Sequence, residues 1–216
     1  MWEVNFFFGL LLLNLILWAL SFKRLHEALK ALGYPLLATL FIEGYAAYLL
    51  FNNTRNLYLY HILTPLQYAL FSVVAYKALT SFTYRRAILL SIPIYLLISF
   101  FITLFLQGLS EYNSYALSIK NALLACWALL YYRETFADLK VVRLEKEPLF
   151  WVNTGMFFYS LGSFFVDGLM NQLLVQSYEL AHTLYYINVF LGYFLYISFL
   201  IAFLLSLKAR ARTVEL

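Results

Sequence analysis

Seven long apolar stretches occupy residues 5–22, 34–52, 57–79, 87–107, 114–132, 149–173 and 181–207, and Lys and Arg collect in every second gap between them. Crossing a bilayer core takes about 20 predominantly apolar residues in a helix. A backbone in lipid must also satisfy its own hydrogen bonds, which leaves a helix as the natural form for such stretches. The expected fold is therefore all-α, a polytopic seven-transmembrane-helix bundle that makes one domain of residues 1–216. Composition agrees: 12% of the residues are charged and 64% are hydrophobic, whereas soluble domains carry about 25% charged residues. Most side chains must have lipid or protein, not water, as their solvent.

The basic residues set an expected orientation. The first gap carries Lys23, Arg24 and Lys30, the third Lys77, Arg85 and Arg86, and the fifth Arg133, Lys140, Arg143 and Lys146. The tail carries Lys208, Arg210 and Arg212, while the alternate gaps carry only Arg55. Cytoplasmic loops are enriched in Lys and Arg, so the N-terminus is expected outside and the C-terminus in the cytoplasm, in a bacterial inner membrane. The net charge of +4 follows from the same interface residues, and with no basic face in the chain it implies no nucleic-acid partner. The first stretch lacks a basic region before it and a small-residue cleavage site after it, so it is read as a retained helix rather than a signal peptide. The one cysteine, Cys126, leaves no internal disulfide and no cysteine-based metal site. Asn52-Asn53-Thr54-Arg55-Asn56 is a tight turn signal. Pro65 and Pro93 fall inside helices, where each removes a backbone donor and serves packing geometry.

Function is sought among the ionisable groups inside the spans, because such groups are costly in lipid and mark sites by default. They are Glu43, His61, Lys120 and Asp167. With a rise of 1.5 Å per residue, Glu43 falls near mid-membrane, Lys120 and Asp167 about 9 Å below the outer surface and His61 about 6 Å below it. Asn121 and Asn188 fall at about 10 Å on the same scale. Helix 6 shows the pattern best: Asn153, Ser160 and Asp167 are seven apart, with Ser163 and Asn171 on the same stripe. Asn153 and Ser160 are read as hydrogen-bonding groups between helices, and Gly155 and Gly162 as sites of close helix approach. Helix 3 presents Tyr58, His61, Pro65, Tyr68 and Ser72 on one face, and helix 7 presents His182, Tyr185, Asn188, Gly192 and Tyr196. These faces are expected to line an aromatic, polar cavity open to the outside. The alternative is an internal network that pairs Lys120 with Asp167 or Glu43 and binds nothing.

Several chemistries fit poorly. A retinal protein needs a lysine deep in the last helix, and Lys208 lies at its end. A haem held by His61 and His182 is a weak alternative, so no cofactor and no metal is expected. A membrane zinc hydrolase needs clustered histidines, and no HxxxH spacing exists. There is no phosphate loop and no serine nucleophile elbow, so no catalytic residue is assigned. The 133–148 loop carries both signs of charge and is read as a docking surface for a cytoplasmic protein. At its end, Glu147-Pro148-Leu149-Phe150-Trp151-Val152-Asn153-Thr154-Gly155, followed by Tyr159 and Gly162, resembles a segment of uncharacterised bacterial seven-helix membrane proteins with a sensory role. The resemblance covers the helical layout, has this segment as its motif and brings no site residues. It implies a membrane sensor. The expected function is a receptor or sensor that binds a small molecule through Glu43, His61, Lys120, Asn121, Asp167 and Asn188 and signals to a separate cytoplasmic partner. A small transporter and an intramembrane lipid hydrolase are the alternatives.

Overall fold

The computed structural model describes residues 2–137 and 143–214, with side chains for residues 3–137 and 143–208. Lys140, part of the 133–148 loop, and the side chains of Arg210 and Arg212 lie outside the described residues. Seven α-helices follow in order: α1 (Trp2–Ser21), α2 (Glu27–Phe51), α3 (Tyr58–Ala78), α4 (Phe82–Phe105), α5 (Ser114–Ala137), α6 (Pro148–Gln176) and α7 (Tyr178–Val214). Among the described residues there is no strand.

Every helix but α3 extends beyond its apolar stretch at one end or both. The second stretch starts at residue 34, but α2 starts at Glu27, where the His26 ring accepts from the Ala28 N–H at 3.3 Å and Glu27 lies in the first turn. An acidic first turn and a side-chain acceptor both suit a helix N-terminus. Residues 27–33 bury Ala28, Leu29, Ala31 and Leu32 against protein, so these roughly two turns need no unbroken apolar run. Gly33 permits the packing there: a Cβ on it would lie 2.0 Å from the Trp18 indole, whose Nε1 donates to the Lys30 carbonyl at 3.0 Å. The Asn-rich segment forms the turn expected of it, with Asn53 at φ 53° and Thr54 N donating to Leu49 O at 2.9 Å. Asn is the residue type that tolerates this left-handed backbone after glycine.

Helix α6 packs extensively on both α5 and α7; α7 meets α1, α1 meets α2, α2 meets α3, and α3 meets α5. Those six helices form a ring. Helix α4 lies outside it, across α3 and α5, and buries only the narrow stripe Ile88, Tyr95, Ser99 and Ile102. Gly155 and Gly162 sit at the α6–α7 contact as expected, since a Cβ would fall 2.7 Å from Ser198 Cβ or 2.4 Å from Leu191 Cδ1.

Among the described residues five helical segments are long and apolar enough to cross a membrane: Glu3–Arg24, Glu27–Phe51, Phe82–Phe105, Pro148–Gln176 and Tyr178–Lys208. The more polar pair, α3 and α5, each lie against three other helices. Each contacts α4 and the other, and α2 or α6 covers a further side. A helix shielded by protein can carry polar side chains at little cost, whereas α4, which faces outward, cannot.

The ends of the bundle differ. At one end Glu27 bridges Lys30 at 2.8 Å and Lys77 at 3.4 Å. At the same end Arg85 lies 4.1 Å over the Tyr76 ring, and the Glu134 carboxylate accepts from Thr80 N at 2.7 Å and from the Thr80 hydroxyl. This is the basic end. The main apolar core belongs to the half beside it, from Leu11, Leu15, Leu29, Leu32 and Leu36 across Phe71 and Val74 to Val152, Met156, Phe199 and Phe203. In the opposite half the buried apolar residues fall into two small groups, Ala46, Leu49 and Leu59 on α2–α3, and Val166, Met170 and Ala181 on α6–α7.

Candidate functional site

A polar layer separates the main core from those two groups. It is centred on Asp167, which is 2% exposed on the ring-facing stripe of α6. Its Oδ1 accepts from the Tyr112 hydroxyl at 2.7 Å and from Asn188 Nδ2 at 3.1 Å, and its Oδ2 accepts from Asn121 Nδ2 at 2.8 Å. The Ser163 hydroxyl donates to Asn188 Oδ1. One carboxylate thus joins α5, α6, α7 and the α4–α5 loop. Hydrogen bonds to an ionised acceptor are the strong kind, and three of them answer much of what burial costs a carboxylate.

Lys120 lies one residue before Asn121 and is 2% exposed. Its Nζ donates to Gln67 Oε1 at 3.2 Å. Gln67 Nε2 donates to Thr39 Oγ1 at 2.9 Å, and that hydroxyl donates back to Pro35 O at 2.8 Å. Among the described residues the only ion pairs within 4.0 Å are those of Glu27 at the basic end, so Lys120 touches neither expected carboxylate. Glu43, one turn beyond Thr39 on α2, is half-buried and accepts from the Tyr60 hydroxyl at 3.0 Å.

Of the six residues proposed from sequence, the structure joins Asn121, Asp167 and Asn188 directly; Lys120, next to Asn121 in sequence, bonds the separate Gln67–Thr39 chain, and Glu43 bonds Tyr60. His61 is placed differently. Its Nδ1 pairs with the Thr103 hydroxyl of α4 at 3.0 Å, and its Nε2 meets the Glu111 carbonyl at 3.1 Å. A carbonyl only accepts, so Nε2 carries the proton and Nδ1 accepts from Thr103. His61 pins the α4–α5 loop and orients nothing in the layer. Tyr68 of the same stripe also turns to α4, its hydroxyl donating to Ser91 Oγ at 2.6 Å, while Ser72 Oγ has no partner. The face of α3 that meets the layer is instead Tyr60 and Gln67.

His182 is exposed and stacks on Tyr178 at 6.1 Å. It shares no partner with His61, both of whose ring nitrogens are engaged in hydrogen bonds. Tyr185 is likewise exposed, while Asn188 and Tyr196 of the same helix 7 stripe face inward. Asn153 and Ser160 do not tie helices together: Asn153 Nδ2 donates to Leu149 O of its own helix at 2.8 Å, and Ser160 Oγ has no partner. Sequence reasoning missed Tyr60, Gln67, Thr39 and Tyr112. Tyr60 and Gln67 are seven apart, as Thr39 and Glu43 are four apart, so the spacing was readable. Tyr112 belongs to a loop and had no periodic signal.

Between α4 and α5 the loop is fastened as well as placed. Asn171 Nδ2 donates to Tyr112 O at 2.9 Å, and Gln107 Oε1 accepts from Tyr115 N at 3.2 Å. An open cleft of about 390 Å³, lined by Arg55, Leu57, Tyr58, Leu109 and Ser110, lies at this end of the bundle. No group of three or more His, Cys, Asp or Glu side chains among the described residues could hold a metal ion. No family model, curated protein or solved structure matches the chain.

Proposed function

We propose that the chain is a seven-span membrane receptor, with its basic end in the cytoplasm of a bacterial cell, that takes a small molecule from the outer side into the layer around Asp167, Lys120 and Glu43. A separate cytoplasmic protein receives the signal, through the 133–148 loop and the end of α7. The observation that carries this reading is the asymmetry of the interior. The polar layer is backed on the basic side by the largest apolar core in the molecule, so a solute reaching the layer meets a packed floor. That argues for binding and against passage, and so favours a receptor over a transporter.

Two experiments test it. In a background with Cys126→Ser, a cysteine at Asn53 should label from outside intact cells and one at Glu145 should not; the reverse result would turn the layer to the cytoplasm. A density map of the purified protein should show non-protein density bounded by Lys120, Asn121 and Glu43. A map with closed protein packing there would leave a structural network and end the receptor reading.

A further inference from the structure

At the end opposite the basic one, the cleft of about 390 Å³ lies between two short loops. The α2–α3 turn gives it Arg55 and Leu57, the start of α3 gives Tyr58, and the α4–α5 loop gives Leu109 and Ser110. Its volume is near the lower end of the range for small-molecule pockets, about 300–1,000 Å³. Both walls are held from behind, so the cleft is formed before anything enters it. On one side Thr54 N donates to Leu49 O at 2.9 Å and Asn56 Nδ2 donates to Ala46 O at 3.1 Å. On the other, His61 Nε2 donates to Glu111 O at 3.1 Å and Glu111 N donates to Gly108 O at 3.0 Å. Arg55 is the one Lys or Arg in the gaps at this end. Among the described residues no carboxylate lies within 4.0 Å of it. A guanidinium stays charged at any ordinary pH, and its fork of five N–H donors fits two oxygens of a phosphate. Tyr58 and Ser110 bring hydroxyls to the same walls, and Leu57 and Leu109 bring apolar surface. Leu109 is itself exposed and follows the outward face of α4, where Leu97, Phe101 and Phe105 are exposed too. A cationic, hydroxyl-bearing cleft thus adjoins apolar surface of the kind that hydrocarbon covers.

We propose that this cleft binds the headgroup of an anionic phospholipid from the leaflet at its end of the bundle. The phosphate sits on the Arg55 guanidinium, the headgroup hydroxyls face Tyr58 and Ser110, and the acyl chains run past Leu109 along α4. A soluble anion gains only the head contacts. A phosphatidylcholine carries a choline cation beside its phosphate, and Arg55 repels that cation. The site is separate from the layer around Asp167, and it stands whichever side of the membrane this end faces. A lipid held there braces the loop whose Tyr112 donates to Asp167.

The test is a titration of the purified full chain with phosphatidylglycerol, phosphatidylcholine of the same acyl chains, and glycerol 3-phosphate. Native mass spectrometry reads the affinity, and amide hydrogen exchange over residues 106–113 reads the place, because the basic end also attracts anionic lipid. Phosphatidylglycerol should slow exchange in 106–113, and the other two probes should not at the same concentration. Arg55→Gln should weaken the binding of one phosphatidylglycerol per chain by about fivefold, the step expected for one exposed charged pair, and should abolish the slowing. Arg55→Lys keeps the charge and should retain most of the effect. Arg86→Gln, at the basic end, should leave the slowing in 106–113 as it was. If Arg55→Gln fails to fold, the rank order of the three probes on the unaltered chain still decides. Equal slowing by phosphatidylcholine would overturn the anionic headgroup, and equal slowing by glycerol 3-phosphate would overturn the lipid in favour of a free phosphate. No slowing with any probe, or slowing unchanged in Arg55→Gln, would overturn the site.

Discussion

The two halves of the bundle are built on different principles. On the basic side 26 buried residues form one continuous apolar core reaching into all seven helices, and on the far side two groups of three residues each hold one pair of helices. The far half is held instead by side-chain hydrogen bonds that converge on Asp167 and Lys120. Apolar packing is non-directional and tolerates approximate shape, whereas a buried polar network is satisfied only if every member is in place. The comparison teaches that this chain concentrates its apolar packing beside the basic end and holds the opposite half with directional contacts.

The contrast is broken most directly from the base. Phe199, which is fully buried and lies 6.2 Å from the Phe71 ring, has no alternative environment. Phe199→Ala should cost on the order of 3 kcal/mol, as large-to-small core changes do, read as a fall in melting temperature of the purified protein. A small change would mean the base is loosely packed and would erase the distinction.

Next in size is Lys120→Met. It strips Gln67 Oε1 of its donor and leaves two acids without a counter-charge, so a loss of about 2 kcal/mol is expected. Combining it with Asp167→Asn should restore part of the stability, because the double change removes charge from both sides. A neutral Lys120→Met would show that the network does not hold the far half together.

Two glycines sharpen the picture at smaller scale. Gly33→Ala would press a methyl into the Trp18 ring and should destabilise by about 1–2 kcal/mol, since overpacking costs this much in a tight interior. Gly44, in the far half, has nothing within 4 Å of a built Cβ. Gly44→Ala should therefore be neutral or gain about 0.5 kcal/mol from helix propensity. Thermal melts of the two variants side by side would show whether the halves differ in free space as they differ in chemistry.

Much of this was legible in the sequence, for identifiable reasons. The apolar stretches and the Gly155 and Gly162 contacts follow from length and spacing, which lipid enforces. Asp167 was legible because a carboxylate on a seven-residue polar stripe has only one place to face. The stripe of α3 was misleading because that helix is covered on more than one side. His61, Tyr68 and Ser72 form as good a polar face as Tyr60 and Gln67, and only the position of α4 outside the ring decides which face meets the layer. The start of α2 was hidden for a related reason: residues 27–33 bury against protein, so their helicity leaves no hydropathy signal.

Helix α7 runs 37 residues without a proline or other break from Tyr178 to Val214, and Asn188, which holds Asp167, lies ten residues from its start. About 39 Å of continuous helix separates Asn188 from Val214 at 1.5 Å per residue. A rod of that length is a lever. Tilting it by about 5° around the level of Asn188 carries its far tip sideways by roughly 3 Å, so a small change of angle beside Asp167 reappears as a displacement the size of an atom at the basic end of the bundle.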